Sequence, residues 1–279
     1  MTRLAVIATV GALLAGAFLP GCQAAPFTGR RRLMLVTARE EAQLGVQAWG
    51  DLRKDLAESR DAASGAILNR VGLRIAEQVR LAPEVTPTEF EWEFKLFQSD
   101  EPNAFCLPGG KVGFHTGILP ACRNEAGVAV VMGHEIAHAV LRHGAERMSQ
   151  DLLATLAGAA LLRGMQRQDK TVQEGVMKAF GLGAQVGVLL PYSRAHESEA
   201  DRVGLLLTTR AGYDPSEAVA FWKRMVEQTG GSRPPAFLST HPAPADRIEQ
   251  IEKLMPQMMK AYDKSPKHGL GETLKPSGR

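Results

Sequence analysis

His134-Glu135-Ile136-Ala137-His138 lies inside an apolar stretch running from Ala126 to Leu141. On a helix the two histidines fall about 40° apart, one turn above the other, so both imidazoles can grip one metal ion. Zinc suits such a pair, and Glu135 can reach the water that the metal polarises. That water's pKa falls to about 7 on zinc, and a carboxylate can then take its proton as a carbonyl is attacked. A chance match on a core helix is the plainer reading. It would leave three polar groups without partners among valines and alanines, which is costly.

A third ligand has to be found elsewhere. The extended pattern H-E-x-x-H-x-x-G-x-x-H does not fit, because Leu141 and Gly144 stand where its glycine and histidine belong. On a continuous helix His143 lies about 180° from His134 and faces away. A carboxylate from another element is the common alternative. In Ser193-Arg194-Ala195-His196-Glu197-Ser198-Glu199-Ala200-Asp201, Glu197 and Asp201 share a helical face while Glu199 points nearly opposite. Glu197 is then a candidate ligand, with Asp201 an acceptor for the second ring N–H of His134 or His138. Taken alone, the same run reads first as a solvated acidic face, Glu197, Glu199 and Asp201 with Arg194 and Arg202.

These residues need helices and a small sheet to position them. Thr37-Ala38-Arg39-Glu40 is a capping box that predicts a helix to about Ser59, and a second follows from about Ser64 to Val79. Phe90, Trp92, Phe94 and Leu96 alternate with polar residues as a half-buried strand does. Asn103–Leu107 and Lys111–His115 read as two further strands about Pro108-Gly109-Gly110. Asn124 suits the N-cap of the metal helix and Gly144 its C-terminal stop. Helices are predicted from about Arg194 to Arg210, from the Asp214-Pro215-Ser216-Glu217 cap, and from about Pro244 to Tyr262. The Lys-, Gly- and Pro-rich segment 263–279 is expected to fray. Apolar segments Leu152–Leu162 and Val176–Leu190 form a helical insertion at about 150–190, too short to read as membrane spans; a packed hairpin is the plainer reading and a membrane-contacting or dimerising lid the other.

The leader indicates a compartment. Arg3, an apolar run from Leu4 to Leu19 and small residues before Cys22 describe a secretory signal over residues 1–21. Leu19-Pro20-Gly21-Cys22 resembles the bacterial lipobox, with Cys22 the lipidated residue and 22–32 a tether. Pro20 is unusual in that box, and an uncleaved anchor is the alternative. Gln23 in place of Asp points to the outer membrane by resemblance to enterobacterial sorting. The formal charge of +3 over 279 residues carries no basic stripe interleaved with aromatics, which argues against nucleic acid. Cys106 and Cys122 could pair in an oxidising compartment or remain buried thiols.

Taken together, the motifs resemble metallopeptidase family forty-eight, the Glu-zincin family of the HtpX heat-shock protease and the CAAX prenyl proteases. The resemblance rests on His134–His138, Ser193-Arg194, and Glu197 with Ala200-Asp201. It also rests on Asn103-Ala104-Phe105-Cys106-Leu107-Pro108-Gly109-Gly110, Thr116-Gly117, Asn124-Glu125-Ala126, Ser239-Thr240-His241-Pro242 and Arg247. It covers roughly Leu33 to Leu254, and a domain of 33–262. It implies a mainly helical α+β domain with a small antiparallel or mixed sheet. One zinc would sit on His134, His138 and Glu197, with Glu135 as general base. Asn103, Ala104, Phe105, Cys106 and Leu107 would form the edge strand along which a substrate peptide lies. His241 would either donate to the oxyanion, with Arg247 adding charge, or cap the metal until substrate arrives. The implied activity is a zinc metalloendopeptidase of the bacterial envelope, lipid-anchored and facing the periplasm, acting on misfolded or unassembled envelope proteins. A non-catalytic envelope chaperone or assembly factor on the same scaffold is the alternative, and a cell-wall amidase a weaker third. Oligomeric state is open.

Overall fold

The structure, a computed structural model, describes residues 22–85, 90–164, 193–227, 236–241, 246–270 and 273–274. The leader 1–21, the apolar segment Val176–Leu190 and Pro242 lie outside the described residues.

Helix α1 (Ala38–Asp55) opens at the predicted capping box, with Thr37 and Glu40 bonded reciprocally. It stops short of Ser59, whose backbone N–H instead donates to Leu96 O beside the sheet. Helix α2 (Ala62–Arg80) starts at Asp61, whose side chain accepts from Ser64 N. Strand β3 (Glu93–Phe97) is shorter than the alternating pattern suggested. Phe90 and Trp92 precede it, stacked on each other at 4.7 Å. Strands β4 (Ala104–Leu107) and β5 (Lys111–His115) complete a mixed sheet in the order β3-β5-β4, with β3 parallel and β4 antiparallel to β5. An earlier hairpin, β1 (Cys22–Ala24) and β2 (Arg31–Leu33), occupies the segment read as a tether.

A short helix α3 (Leu119–Cys122) leads to α4 (Glu125–Val140), capped by Asn124 Oδ1 on Gly127 N at 2.7 Å. Every residue of α4 is buried, so it is the core of the molecule as well as the bearer of H-E-x-x-H. Helix α4 packs most extensively on α6 (Arg194–Arg210). The two meet at Gly133 and Gly204: a Cβ on Gly204 would lie 2.8 Å from Gly133 C and O and from His134 N. Nothing larger than hydrogen lets these backbones approach so closely.

The predicted stop at Gly144 is corrected. Helix α4 ends at Val140, and Arg142 takes the left-handed conformation, φ 54°. A residue with a Cβ rarely does so without compensation. Here Arg142 Nε donates to Glu41 Oε2 at 2.6 Å and Nη2 to Val36 O at 2.9 Å, which holds the strained turn. A new helix, α5 (His143–Gly164), starts at once.

Helices α7 (Glu217–Glu227), α8 (Ala236–Thr240) and α9 (Arg247–Tyr262) close the domain behind α4 and α6. Helix α9 begins three residues after the expected Pro244. Phe221, Trp222 and Phe237 form a buried aromatic cluster beneath the site, each such ring adding roughly 1.5–3 kcal/mol by leaving water. The segment expected to fray returns to the body where it is described. His268 N donates to Gly212 O, and Leu274 N to Arg123 O next to the α4 cap. No helix among the described residues is long and apolar enough to cross a membrane.

Candidate metal centre

Four side chains from three places in the chain converge. His134 and His138 come from α4, Glu197 from the first turn of α6, and His241 from the residue after α8. One donor atom of each lies within 4.8 Å of all the others, and all four residues are buried. His134 Nε2 is 3.1 Å from His138 Nε2 and 3.3 Å from His241 Nδ1. Glu197 lies 3.4 Å from each of the two α4 histidines and 3.1 Å from His241 Nδ1. Donors bound tetrahedrally at zinc distances are separated by about 3.3 Å, so this spacing fits that ion.

The outer ring nitrogens explain why the inner ones need a cation. His134 Nδ1 donates to Asp201 Oδ1 at 3.0 Å. His138 Nδ1 lies 3.0 Å from Nδ1 of His143. In the tautomer where Nδ1 donates on both rings, two lone pairs face each other across the inner gap, a place for a proton or a metal ion. Burial disfavours charge on His134, but Asp201 and Glu197 outweigh it and raise its pKa to about 9. His138, burdened by burial and by three neighbouring imidazoles, falls well below the ordinary histidine value. Burial would raise the Glu197 carboxyl, yet contacts with His134, His138 and His241 hold it far below the usual range.

Glu135 points into the same space. Its carboxyl is pushed up by burial, and among the described residues its Oε1 accepts no hydrogen bond, the Nε2 of His241 standing 3.4 Å away. Arg247 braces the two acidic partners. Nη1 meets Glu197 Oε2 at 2.8 Å, Nε and Nη2 meet Asp201 at 2.8 and 2.7 Å, and the guanidinium stacks 3.6 Å over the Trp222 ring. Such planar bidentate and stacked contacts are made by arginine and not by lysine.

Among the described residues β4 ends the sheet, with Cys106 on the face packed against the core and close enough to Glu135 for that charge, after burial, to raise its thiol pKa. Phe105 points to the other face, against Trp49 and Phe97. Cys106 and Cys122 are both free thiols. Asn103 caps the strand start, its Oδ1 accepting from Ala104 N.

The face-away reading of His143 is overturned. It assumed an unbroken helix, and the left-handed Arg142 swings His143 back against His138. Glu199, pointing away from Glu197 as expected, lies 3.2 Å from His143 Nε2. No local signal in Arg142-His143-Gly144 marks this break, which comes two residues earlier than the glycine suggested.

The sequence profile described as peptidase family M48 matches residues 64–255. The mitochondrial metalloendopeptidase OMA1 of Saccharomyces cerevisiae is 31% identical over 267 residues, covering 90% of this chain and 74% of that protein. The beta-barrel assembly-enhancing protease of Escherichia coli is 30% identical over 254 residues, covering 90% of this chain and 50% of its own length. OMA1 of Homo sapiens is 28% identical over 274 residues, with 50% of its length covered. Buried histidines of an H-E-x-x-H helix grouped with a glutamate and a third histidine agree with that match, and the chain belongs to peptidase family M48 as a metalloendopeptidase.

Proposed function

We propose that the chain holds one zinc ion on His134, His138 and Glu197 and hydrolyses peptide bonds of misfolded or unassembled proteins of the bacterial envelope. The observation that carries the metal assignment is the set of 3.1–3.4 Å separations among buried donor atoms. Zinc, when bound, supplies a Lewis acid and a water of lowered pKa. Glu135, its carboxyl reaching the same space, would serve as the base that carries a proton from the attacking water to the departing amine. Asp201 keeps the Nδ1 proton of His134 in place, and Arg247 keeps Asp201 and Glu197 apart and oriented. A substrate segment would add to the free side of β4, bonding to the backbone of Asn103, Ala104, Phe105, Cys106 and Leu107.

Of its two roles, the position of His241 supports the cap. Its Nδ1 stands among the ligand atoms and its Nε2 beside the base, so it fills the place a substrate carbonyl would take. Arg247, bonded to two carboxylates, acts on the ligands more than on an oxyanion.

The envelope assignment rests on Leu19-Pro20-Gly21-Cys22, with lipid on Cys22 and the outer membrane as the destination, and is supported by the Escherichia coli relative named for beta-barrel assembly. The mitochondrial relatives are named for a different compartment. The deciding experiment is zinc content and casein cleavage by the detergent-solubilised full-length chain beside Glu135→Gln. One zinc in each, with cleavage by the wild type alone, is expected. Cleavage by both would remove Glu135 as the base. Zinc without cleavage in either, even after His241→Ala, would favour the chaperone reading.

A further inference from the structure

The two α4 histidines are held from behind in different ways. His134 rests on a carboxylate, as metal-bound histidines commonly do. His138 rests on another imidazole, that of His143. A neutral imidazole accepts at Nδ1 only while its own proton sits on Nε2. Glu199 Oε2, 3.2 Å from His143 Nε2, keeps the proton there. The His143 ring is further pinned by stacking on His196 at 4.4 Å and 26°, and His196 Nε2 lies 3.2 Å from Glu146 Oε2.

Both carboxylates behind this pair are gripped by one residue. Arg30 donates from Nη1 and Nη2 to Glu146 at 2.8 and 2.6 Å, and from Nε to Glu199 at 2.9 Å. Thr28 Oγ1 adds a bond to the other oxygen of Glu199 at 2.6 Å. Thr28 and Arg30 belong to the turn between β1 and β2, and Arg32 in β2 donates to the Leu141 carbonyl where α4 ends. A continuous path of side chains therefore joins the hairpin that begins at Cys22 to the second metal ligand.

We propose that His143 is the positioning residue for the ligand His138, and that Arg30 locks it, so that docking of hairpin 22–33 sets the metal affinity of the site. The inference rests on the zinc assignment above. It gives the segment next to the lipidation site a task besides tethering: seated, it orients His138; displaced, it releases Glu199 and with it the His143 ring. Glu199 and His143 are not themselves ligands, and Arg30 reaches the metal only through them.

The test measures zinc affinity of the detergent-solubilised full-length chain by competition with a chromogenic chelator, alongside the visible spectrum of the cobalt-loaded protein. Wild type is compared with Arg30→Ala, His143→Ala, His143→Asn and the Arg30→Ala/His143→Ala double variant. Loss of an outer partner of a metal-bound histidine weakens binding about 10- to 100-fold, so His143→Ala is expected in that range and Arg30→Ala about 10-fold weaker. His143→Asn, whose carboxamide oxygen can accept from His138, recovers most of the loss and the wild-type cobalt spectrum. The double variant binds no more weakly than His143→Ala, because both act along one path. Unchanged affinity in both single variants, or losses that multiply in the double, overturns the proposal. If the wild type takes up no zinc, the metal assignment falls with it. Thermal unfolding of the zinc-free variants serves as the folding control, and should Arg30→Ala not fold, the contrast between His143→Asn and His143→Ala still decides.

Discussion

Gly204→Ala is the most demanding perturbation of the site, because it touches no ligand side chain. The new Cβ would stand 2.8 Å from Gly133 C and O and from His134 N, all of them backbone. Carbon contacts relax only at about 3.5–4.0 Å, so α6 and α4 must part by roughly 0.7–1.2 Å at this point. The contact sits next to His134, and Glu197 and Asp201 ride on the helix that would move. Metal sites tolerate about 0.2 Å of error in ligand distance, several times less than the displacement. Zinc affinity should fall at least ~10-fold, and peptide cleavage by about 100-fold, the usual consequence of an ångström of misplacement. Overpacking should cost about 1–3 kcal/mol of stability. Gly50→Ala is the control, since a Cβ there meets nothing within 4 Å in α1. It should leave zinc binding unchanged and stabilise by about 0.5–1 kcal/mol. Chelator competition, casein cleavage and thermal unfolding read these out together. A Gly204→Ala protein that binds zinc and cleaves within threefold of wild type would show that the close crossing does not place Glu197.

Three further outcomes are expected. Asp201→Asn leaves His134 Nδ1 a weaker acceptor and Arg247 without one of its carboxylates, so zinc affinity should drop about 10- to 100-fold, measured by the same competition. His241→Ala removes the side chain standing between Glu197 and Glu135, and casein cleavage should rise with zinc content unchanged; a fall would assign His241 to the oxyanion instead. In acid, Glu146 and Glu199 both keep pKa values of about 2 against an ordinary 4.5, because Arg30, His196 and His143 offset their burial. The folded state then binds fewer protons than the unfolded chain between pH 4.5 and 2, so stability is present above that window and lost as pH falls through it. The slope is at most about 1.4 kcal/mol per pH unit per carboxylate, lessened by the partial exposure of Arg30. Arg30→Ala should flatten this dependence in acid-unfolding curves.

What could be read from the chain was what helical or strand spacing encodes locally. The i, i+4 pairs His134/His138 and Glu197/Asp201 fall on single faces by geometry alone, and β5 emerged with the bounds its pattern implied. The motif order carried Glu197 and His241 to the same site across more than a hundred residues. Tertiary compensation was not legible. Nothing near Arg142 announces that Glu41 and Val36 will hold it left-handed, and with that turn hidden His143 was sent to the wrong side. Gly133 and Gly204 look like ordinary helix interruptions until the two backbones are seen to touch. Thr28 and Arg30 lay in a stretch that composition marks only as a linker.

Helix α4 is clasped from both directions. Arg32 of the early hairpin holds the carbonyl of Leu141 at one end, and residues 273–274 bridge to Asn124 and Arg123 at the other, about 24 Å along a 16-residue helix. Under the proposed activity the enzyme would meet copies of itself, and loose flanks are where cutting of a folded protein starts. With residues 22–33 and 273–274 fastened to the most buried element, those stretches are held back from β4. Resistance to self-digestion would then be a property of the same contacts that keep the metal helix in place.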